Sequence, residues 1–300
     1  MPEALCVAVI QGRMGSSRLP GKVLLDIARK PMLQHVIERT RRARHIDALV
    51  VATSSEPSDD PIAEFCAGLG VACERGSLQD VLDRFHQAAT AQHASRVVRI
   101  TADCPMIDPD LIDETIRLLD ESKASQPVDF AANRLPPPFG RSFPIGLDVE
   151  VCTFAALERA WREATETFQR EHVMPFLYEG TQFRGIIARG FDAEAANLEP
   201  GRSSAAPLRP TRTSMSYGIS PRGFGIAQLH NTPNYGNLRW TVDTPADLEF
   251  ARQVFARLGD KADFKWQDVL DVLQKEPELA AINSEVRHKT MTEVDERAKP

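Results

Sequence analysis

V-A-V-I-Q-G-R-M-G-S-S-R-L-P-G-K-V-L-L, residues Val7 to Leu25, is the stretch on which the reading of this chain turns. It begins inside a short apolar run, Leu5 to Ile10, long enough for one buried strand. Gly12, Gly15, Ser16, Ser17, Pro20 and Gly21 follow, with Arg13, Arg18 and Lys22 set among them. No acid occurs between Glu3 and Asp26. A strand feeding a glycine- and serine-rich cationic turn presents backbone N–H groups and positive charge to phosphates. Glycine permits close backbone approach, and the cations offset phosphate charge. Spacing excludes two familiar phosphate motifs. A Walker A loop needs G-x4-G-K-[ST], but the sequence reads Gly15-x5-Gly21-Lys22 and then Val23. A dinucleotide loop needs G-x-G-x-x-G, and Gly12 and Gly15 have no glycine two residues upstream. Charge and glycine alone leave an ordinary surface loop as the alternative.

Outward from this stretch, strand and helix patterns alternate. Met32 to Arg42 has helical apolar spacing after Pro31, and Ala48–Thr53 is a second buried strand. Asp60 and Pro61 read as N-cap and first residue of a helix to Ala67, ended by Gly68 and Gly70. Val71–Cys73 is a third strand, Leu78–His93 an amphipathic helix and Arg96–Thr101 a further strand. Asp108-Pro109 caps a helix to about Leu119. Such alternation with short connections predicts an α/β chain with a mostly parallel sheet covered on both faces. Ligands bind such sheets beyond the carboxyl ends of the strands, where the loop after the first strand lies.

The middle changes character. Leu135 to Phe143 is proline-rich and irregular, whereas Gly146 to Thr153 alternates strictly, with Leu147, Val149 and Val151 on one side and Asp148 and Glu150 on the other. Ala155–Thr165 and Gln169–Tyr178 read as helices, the second limited or kinked by Pro175. Residues 190 to about 236 are rich in Gly, Pro, Ser and Arg, and Pro200 to Val242 contains no acid. This stretch reads as a poorly packed surface insertion; a basic flap over an anionic ligand, using Arg202, Arg209, Arg212, Arg222 and Arg239, is the alternative. Leu238–Val242 returns to strand character. Thr244, Pro245 and Asp247 then open a helix to about Leu258. Trp266–Gln274 is a last amphipathic helix, and after Pro277 the charged tail is expected to fray. The organisation expected is one domain over 1–260 with the insertion inside it, and a C-terminal helix and tail over 261–300.

Two acids stand just past strand ends. Asp103 lies in T-A-D-C-P and Asp243 in V-D-T-P. Each suits a Mg²⁺ ligand, since magnesium is typically held by one or two carboxylates plus substrate phosphates. Each also has a plain structural role available, in a turn before Pro105 or at the helix start at Pro245. With a cationic phosphate loop in the same chain, a two-carboxylate metal site is the better account of both.

The string I-Q-G-R-M-G-S-S-R-L-P-G-K resembles the signature loop of the sugar nucleotidyltransferases, in the branch of the CMP-sugar-acid synthetases and the SpsF-like spore-coat cytidylyltransferases. Gly12 stands where alanine is usual. The resemblance covers about 4–184 and 237–280 and implies a Rossmann-like three-layer, GT-A-like nucleotidyltransferase fold. It implies that Gln11, Gly12, Arg13, Ser16, Ser17, Arg18 and Lys22 wrap the triphosphate of CTP. T-A-D-C-P-M-I and W-T-V-D-T-P-A-D-L resemble the elements whose aspartates bind metal, so Asp103 and Asp243 inherit those roles. V-L-D-R-F implies that Arg84 lies near the base. G-L-D-V-E-V and R-E-H-V-M-P-F imply that Asp148, Glu150, Glu171 and His172 face the acceptor. The implied reaction is attack by an acceptor oxygen on the α-phosphorus of CTP with loss of pyrophosphate, using Arg13, Lys22, Asp103 and Asp243. The acceptor that the resemblance implies is a sugar acid or related sugar for surface polysaccharide or glycoconjugate biosynthesis. Relatives also imply a homodimer through the helices flanking 146–180. A GT-A-type glycosyltransferase, a cytidylyltransferase for a polyol phosphate or phosphonate, and an inactive nucleotide-binding partner protein remain open. The D-x-D spelling at Asp108-Pro-Asp110, which a glycosyltransferase would use, reads better as a helix start.

Composition agrees with this class. The 300 residues are 42% hydrophobic, enough for a large core. A net charge of -6 argues against a general nucleic-acid surface. Cys6, Cys66, Cys73, Cys104 and Cys152 are scattered without paired spacing, as expected for reduced thiols in a cytoplasmic protein. No signal peptide is expected, and no span approaches the ~20 apolar residues of a membrane helix.

Overall fold

The computed structural model describes residues 5–121, 127–188, 212–259, 261 and 263–287. In chain order the strands are β1 (Leu5–Gln11), β2 (Asp26–Ile27), β3 (Lys30–Pro31), β4 (Ala48–Ser54), β5 (Ala72–Gly76), β6 (Ala94–Thr101), β7 (Phe130–Ala132), β8 (Glu150–Thr153), β9 (Gln182–Ala188), β10 (Arg212–Ile219) and β11 (Gly225–Thr232). The helices are α1 (Met32–Thr40), α2 (Asp60–Gly68), α3 (Val81–Ala91), α4 (Pro109–Glu121), α5 (Phe154–Glu163), α6 (Thr167–His172), α7 (Pro175–Tyr178), α8 (Pro245–Leu258) and α9 (Trp266–Lys275).

One sheet has the order β5-β4-β1-β6-β8-β7-β11-β10-β9, and β2 and β3 form a separate small hairpin. The first four strands are parallel; β8 enters antiparallel to both β6 and β7, and the sheet is mixed from there on. Strands β1, β4, β7, β8 and β11 are buried on both faces, so neighbouring residues serve opposite cores. Along β1, Cys6, Ala8 and Ile10 pack with α1, α4 and α8 through Val36, Ile112 and Phe250. Val7 and Val9 pack on the other face with Leu82, Phe85 and Leu157 of α3 and α5. Burial of each large apolar side chain contributes about 1.5–3 kcal/mol. The three-layer arrangement therefore follows from helices packing on both faces of an apolar sheet.

The expected element order holds through α4. Departures begin where the alternation stops. Gly146–Thr153 is not one strand: only Glu150–Thr153 joins the sheet, and Asn133 stands in for the ladder by accepting from Val149 N (2.8 Å) and donating to Leu147 O (2.6 Å). Leu147, Val149 and Val151 are nevertheless all buried, as their alternation requires. The helix expected over Gln169–Tyr178 is two pieces, α6 and α7, parted at Val173 (φ 72°) and Pro175.

The expectation of a poorly packed insertion is corrected over 212–232. There β10 and β11 form an antiparallel hairpin, and β11 pairs in parallel with β7. Polar side chains find partners inside: Gln228 Nε2 donates to Gly140 O at 2.5 Å, and Ser216 Oγ lies 2.8 Å from His230 Nε2. At Gly225 a Cβ would lie 1.9 Å from Pro127 O, so glycine is required by close packing. Arg222 is no flap cation, since it lies over the Phe176 ring at 4.4 Å and pairs with Glu179 at 3.3 Å. Arg202 and Arg209 lie outside the described residues.

Leu238–Val242 makes only one bridge, Arg239 to Ile145, instead of an added strand. Trp240 and Val242 still turn into the core, and Val242 N donates to Asp103 O at 2.9 Å. This contact brings the segment carrying Asp243 against the Asp103 loop. Gly146 (φ 104°) permits it, because a Cβ there would meet Thr241 N at 2.5 Å. Beyond Pro277 the chain does not simply fray: Leu279 and Asn283 are buried.

Candidate active site

The adjacent parallel strands β1 and β6 end in register, Gln11 opposite Thr101. The two sequence features that matter most, the loop after Gln11 and the segment Ala102–Asp108, therefore leave the sheet side by side. Between them and the segment Gly146–Glu150 lies a cleft of about 380 Å³. Its walls hold Gln11, Gly12, Arg13, Ser16, Ser17, Arg18 and Lys22, together with Asp103 and Asp243. The other end carries Asp148, Glu150, Glu171 and His172. Of the catalytic, nucleotide-, acceptor- and metal-binding residues expected from sequence, all but Arg84 line the cleft. Arg84 lies on α3, 1% exposed, and donates from Nη1 to Ser77 O at 2.7 Å. Burial, helped by the charge of Arg13, pushes its pKa down to about 10. Its side chain packs against Gly76 at the end of β5.

The loop is held at its middle. Met14 N donates to Asp59 Oδ1 at 2.7 Å, and Gly21 N to Met14 O at 2.9 Å. Asp59 is 1% exposed, and its Oδ2 also accepts from Ser54 N at 3.1 Å and from the Ser54 hydroxyl. Both oxygens of one buried carboxylate thus fasten the loop to the end of β4. Gly21, in the left-handed region (φ 69°), turns the chain into the short 3-10 turn Lys22–Leu24. Asp59→Ala is expected to release the loop, raising KM for a phosphate-bearing substrate roughly tenfold and costing about 1–3 kcal/mol of stability. Steady-state kinetics and denaturant unfolding measure the two effects.

Lys22 points from that turn into the site. Its Nζ donates to Asp103 Oδ2 (2.7 Å), Asp243 Oδ1 (2.8 Å) and Val242 O (2.9 Å). Burial works against the ammonium, but Asp103 and Asp243 outweigh it and hold its pKa above the ordinary lysine value. Asp243 also receives Arg239 Nη2 at 2.7 Å and Arg18 Nη2 at 3.2 Å. Burial alone would raise its pKa; Lys22, Arg18 and Arg239 reverse that and hold the carboxyl well below the usual range. Arg239 is anchored in turn by Asp247, to Nε at 2.8 Å and Nη2 at 3.2 Å. Asp247 closes a capping box with Thr244 at the start of α8.

At the other end of the cleft, Arg99 Nη1 donates to Glu150 Oε2 at 2.5 Å and Nη2 to Gln11 Oε1 at 3.1 Å. Arg141 grips Asp148 through two bonds of 3.1 Å. Arg134 reaches Asp148 only at 3.9 Å, beyond hydrogen-bond distance. Arg99, Arg134 and Tyr178 line the cleft and were missed from sequence. Arg99 had a signal: a cation inside the strand R-V-V-R-I-T needs a buried partner. Asp108 takes no part. Fully buried, it caps α4 through Asp110 N and Leu111 N, and its other oxygen accepts Trp266 N at 2.7 Å.

A sheet with this order, carrying a glycine-rich cationic loop beside two convergent carboxylates, fits a nucleotidyltransferase. A family model described as cytidylyltransferase matches residues 7–200, and this chain belongs to that family. An uncharacterized protein of Methanocaldococcus jannaschii is 31% identical over 290 residues, covering 97% of this chain and 99% of that one. The spore coat polysaccharide biosynthesis protein SpsF of Bacillus subtilis is 29% identical over 91% of this chain and 95% of its own. A 3-deoxy-manno-octulosonate cytidylyltransferase of Geobacter sulfurreducens is 44% identical, but over 39% of this chain and 46% of its own length. Among solved structures, a cytidylyltransferase from Leptospira borgpetersenii superposes with TM-score 0.73 at 25% identity, over 95% of this chain and 100% of that one. The glycosyltransferase alternative falls with this membership. Among the described residues, no helix is long and apolar enough to cross a membrane.

Proposed function

We propose that this enzyme transfers CMP from CTP to a sugar acid or a closely related anionic sugar, releasing pyrophosphate, in the building of surface polysaccharide or glycoconjugate. The observation that carries the reading is the polarity of one cleft. Arg13, Arg18 and Lys22 stand on its phosphate-loop wall, and Arg134, only loosely engaged by Asp148, stands at the acceptor end. The names of the SpsF and octulosonate relatives point the same way.

Arg13 and Arg18 would neutralise the β- and γ-phosphates and the departing pyrophosphate. The backbone of Gly12–Ser17, fixed through Asp59, would hold the phosphates still. An acceptor oxygen would then form its bond to the α-phosphorus as the bond to the β-phosphate oxygen breaks, and the acceptor's proton would leave to solvent. Asp103 and Asp243 fit a divalent ion: their oxygens converge on one point, now taken by Lys22 Nζ. Among the described residues no group of three or more His, Cys, Asp or Glu could form a complete protein cage, so phosphates and water would complete the shell. Magnesium held there would supply positive charge to offset that on the α-phosphate. The five cysteines are free, which supports the cytoplasmic assignment.

Pyrophosphate release from CTP and Mg²⁺, tested across sugar acids, neutral sugars and polyol phosphates, is expected only with carboxylated sugars. CTP binding without release for any acceptor would sink the proposal. Arg134→Gln is expected to raise KM for the acid about tenfold to a hundredfold and leave KM for CTP within twofold, since one charge-assisted pair is lost. Initial rates with each substrate varied in turn check it.

A further inference from the structure

The geometry points to a second duty for Lys22, resting on the metal-dependent reading above: we propose that it is a built-in counter-cation that keeps a divalent ion off Asp103 and Asp243 until a nucleoside triphosphate draws it away. Divalent metal and nucleotide then bind as one event.

An ammonium group has three N–H donors and no acceptor. All three are used here, at 2.7, 2.8 and 2.9 Å, by two carboxylates and the Val242 carbonyl. Lys22 is also 8% exposed. As it stands, it has no donor left for a phosphate. To contact one it must give up at least one of these partners, and the two carboxylates are the candidate metal ligands.

The surrounding charge leads to the same conclusion. Asp103, Asp243 and Asp247 carry three negative charges, and Lys22, Arg18 and Arg239 balance them through direct pairs. A cluster that is already neutral has little attraction for a further dication. On Asp243 such an ion would sit against three cations. Arg239 cannot withdraw, because Asp247 binds its Nε and Nη2 and Asn283 Nδ2 donates to its backbone carbonyl at 3.0 Å. Lys22 and Arg18 can, since both belong to the phosphate-loop wall of the cleft. A triphosphate offers them new anions within the same cleft. Their transfer uncovers Asp103 and Asp243 for the metal that the phosphates themselves help to hold. By linkage, each ligand must then strengthen the other by the same factor.

Mn²⁺ is the probe, with its free fraction read by electron paramagnetic resonance. The full chain alone should bind Mn²⁺ weakly, and at least about tenfold more tightly when CTP is present without acceptor. Lys22→Met should bind Mn²⁺ without CTP at least about tenfold more tightly than the unaltered protein, and Mn²⁺ alone should raise its melting temperature. Lys30→Met, whose ammonium pairs with Glu38 away from the cleft, should match the unaltered protein. Should Lys22→Met not fold, Arg18→Gln removes a more exposed cation from Asp243 and should give a smaller gain of the same sign. Equal Mn²⁺ affinity with and without CTP, or no gain in either variant, overturns the inference and leaves the transfer reaction standing. Absence of Mn²⁺ binding even with CTP overturns the metal-dependent reading and the inference with it.

Discussion

Asp103→Asn is expected to lower kcat for pyrophosphate release about a thousandfold or more, with far-UV circular dichroism unchanged. The substitution keeps the shape of the side chain and removes its charge. Asp103 lies on the segment leaving β6, and its carboxylate is one of two that converge on Lys22 in the cleft. Preorganised charge at a reacting phosphoryl group acts mainly in the transition state, so kcat should fall much more than KM for CTP rises. Asp243→Asn should be as damaging to rate but less clean. Three cations lean on Asp243, and neutralising it leaves Lys22 and Arg239, both largely buried, short of a counter-charge. Its loss of stability would cloud the kinetics, so Asp103 is the sharper test. A kcat within threefold of the unaltered enzyme would remove Asp103 from the chemistry.

The largest loss of stability is expected for Asp247→Ala, about 3–5 kcal/mol by denaturant unfolding, because it strands a buried arginine. Asp247 is wholly buried. It accepts from Arg239 Nε and Nη2, from the backbone of Asp243 and Thr244, from Thr244 Oγ1 and from Asn283 Nδ2. Burial opposes its charge, yet Arg239 and Asn283 win and lower its pKa. The sign for pH follows. A carboxylate with a depressed folded-state pKa contributes its full stability above the unfolded value, about 3.9. That contribution is lost as pH falls through the folded-state pKa. The gap in stability between the parent and Asp247→Ala should therefore be constant from pH 5 to 7 and narrow below about pH 4. A constant gap down to pH 2 would mean that the carboxylate charge contributes nothing.

Much of the site could be read in the chain because its parts are local. Backbone approach at Gly12 to Ser17, the cations beside it, and an acid just after a strand end are each set by a few neighbouring residues. The cap at Thr244–Asp247 was legible for the same reason. The burial of Arg84 was not legible, because a short helical segment does not show which of its faces is covered; α3 buries that side chain. The hairpin of β10 and β11 was illegible for a different reason. R-T-S-M-S-Y-G-I and G-I-A-Q-L-H-N-T have too few apolar residues to announce buried strands, and some of their polar groups are satisfied by partners far away in sequence, as Gln228 is by Gly140. Here tertiary pairing overrides weak local preference.

Sequence by itself determined the alternating strands and helices of the first half, the phosphate-type loop from Gln11 to Lys22, and the two acids Asp103 and Asp243, because each is encoded within a short span. Only the tertiary structure decided that the two acids meet across 140 residues on one ammonium, that Asp59 fastens the loop, and that Arg99 and Arg134 complete the far wall. Those contacts depend on strand order: β1 and β6 become neighbours, and Val242 is laid against Asp103. No short stretch of sequence carries that information. The loop that opened the reading offers Lys22 to a phosphate, and the fold assigns Lys22, for the present, to the carboxylates.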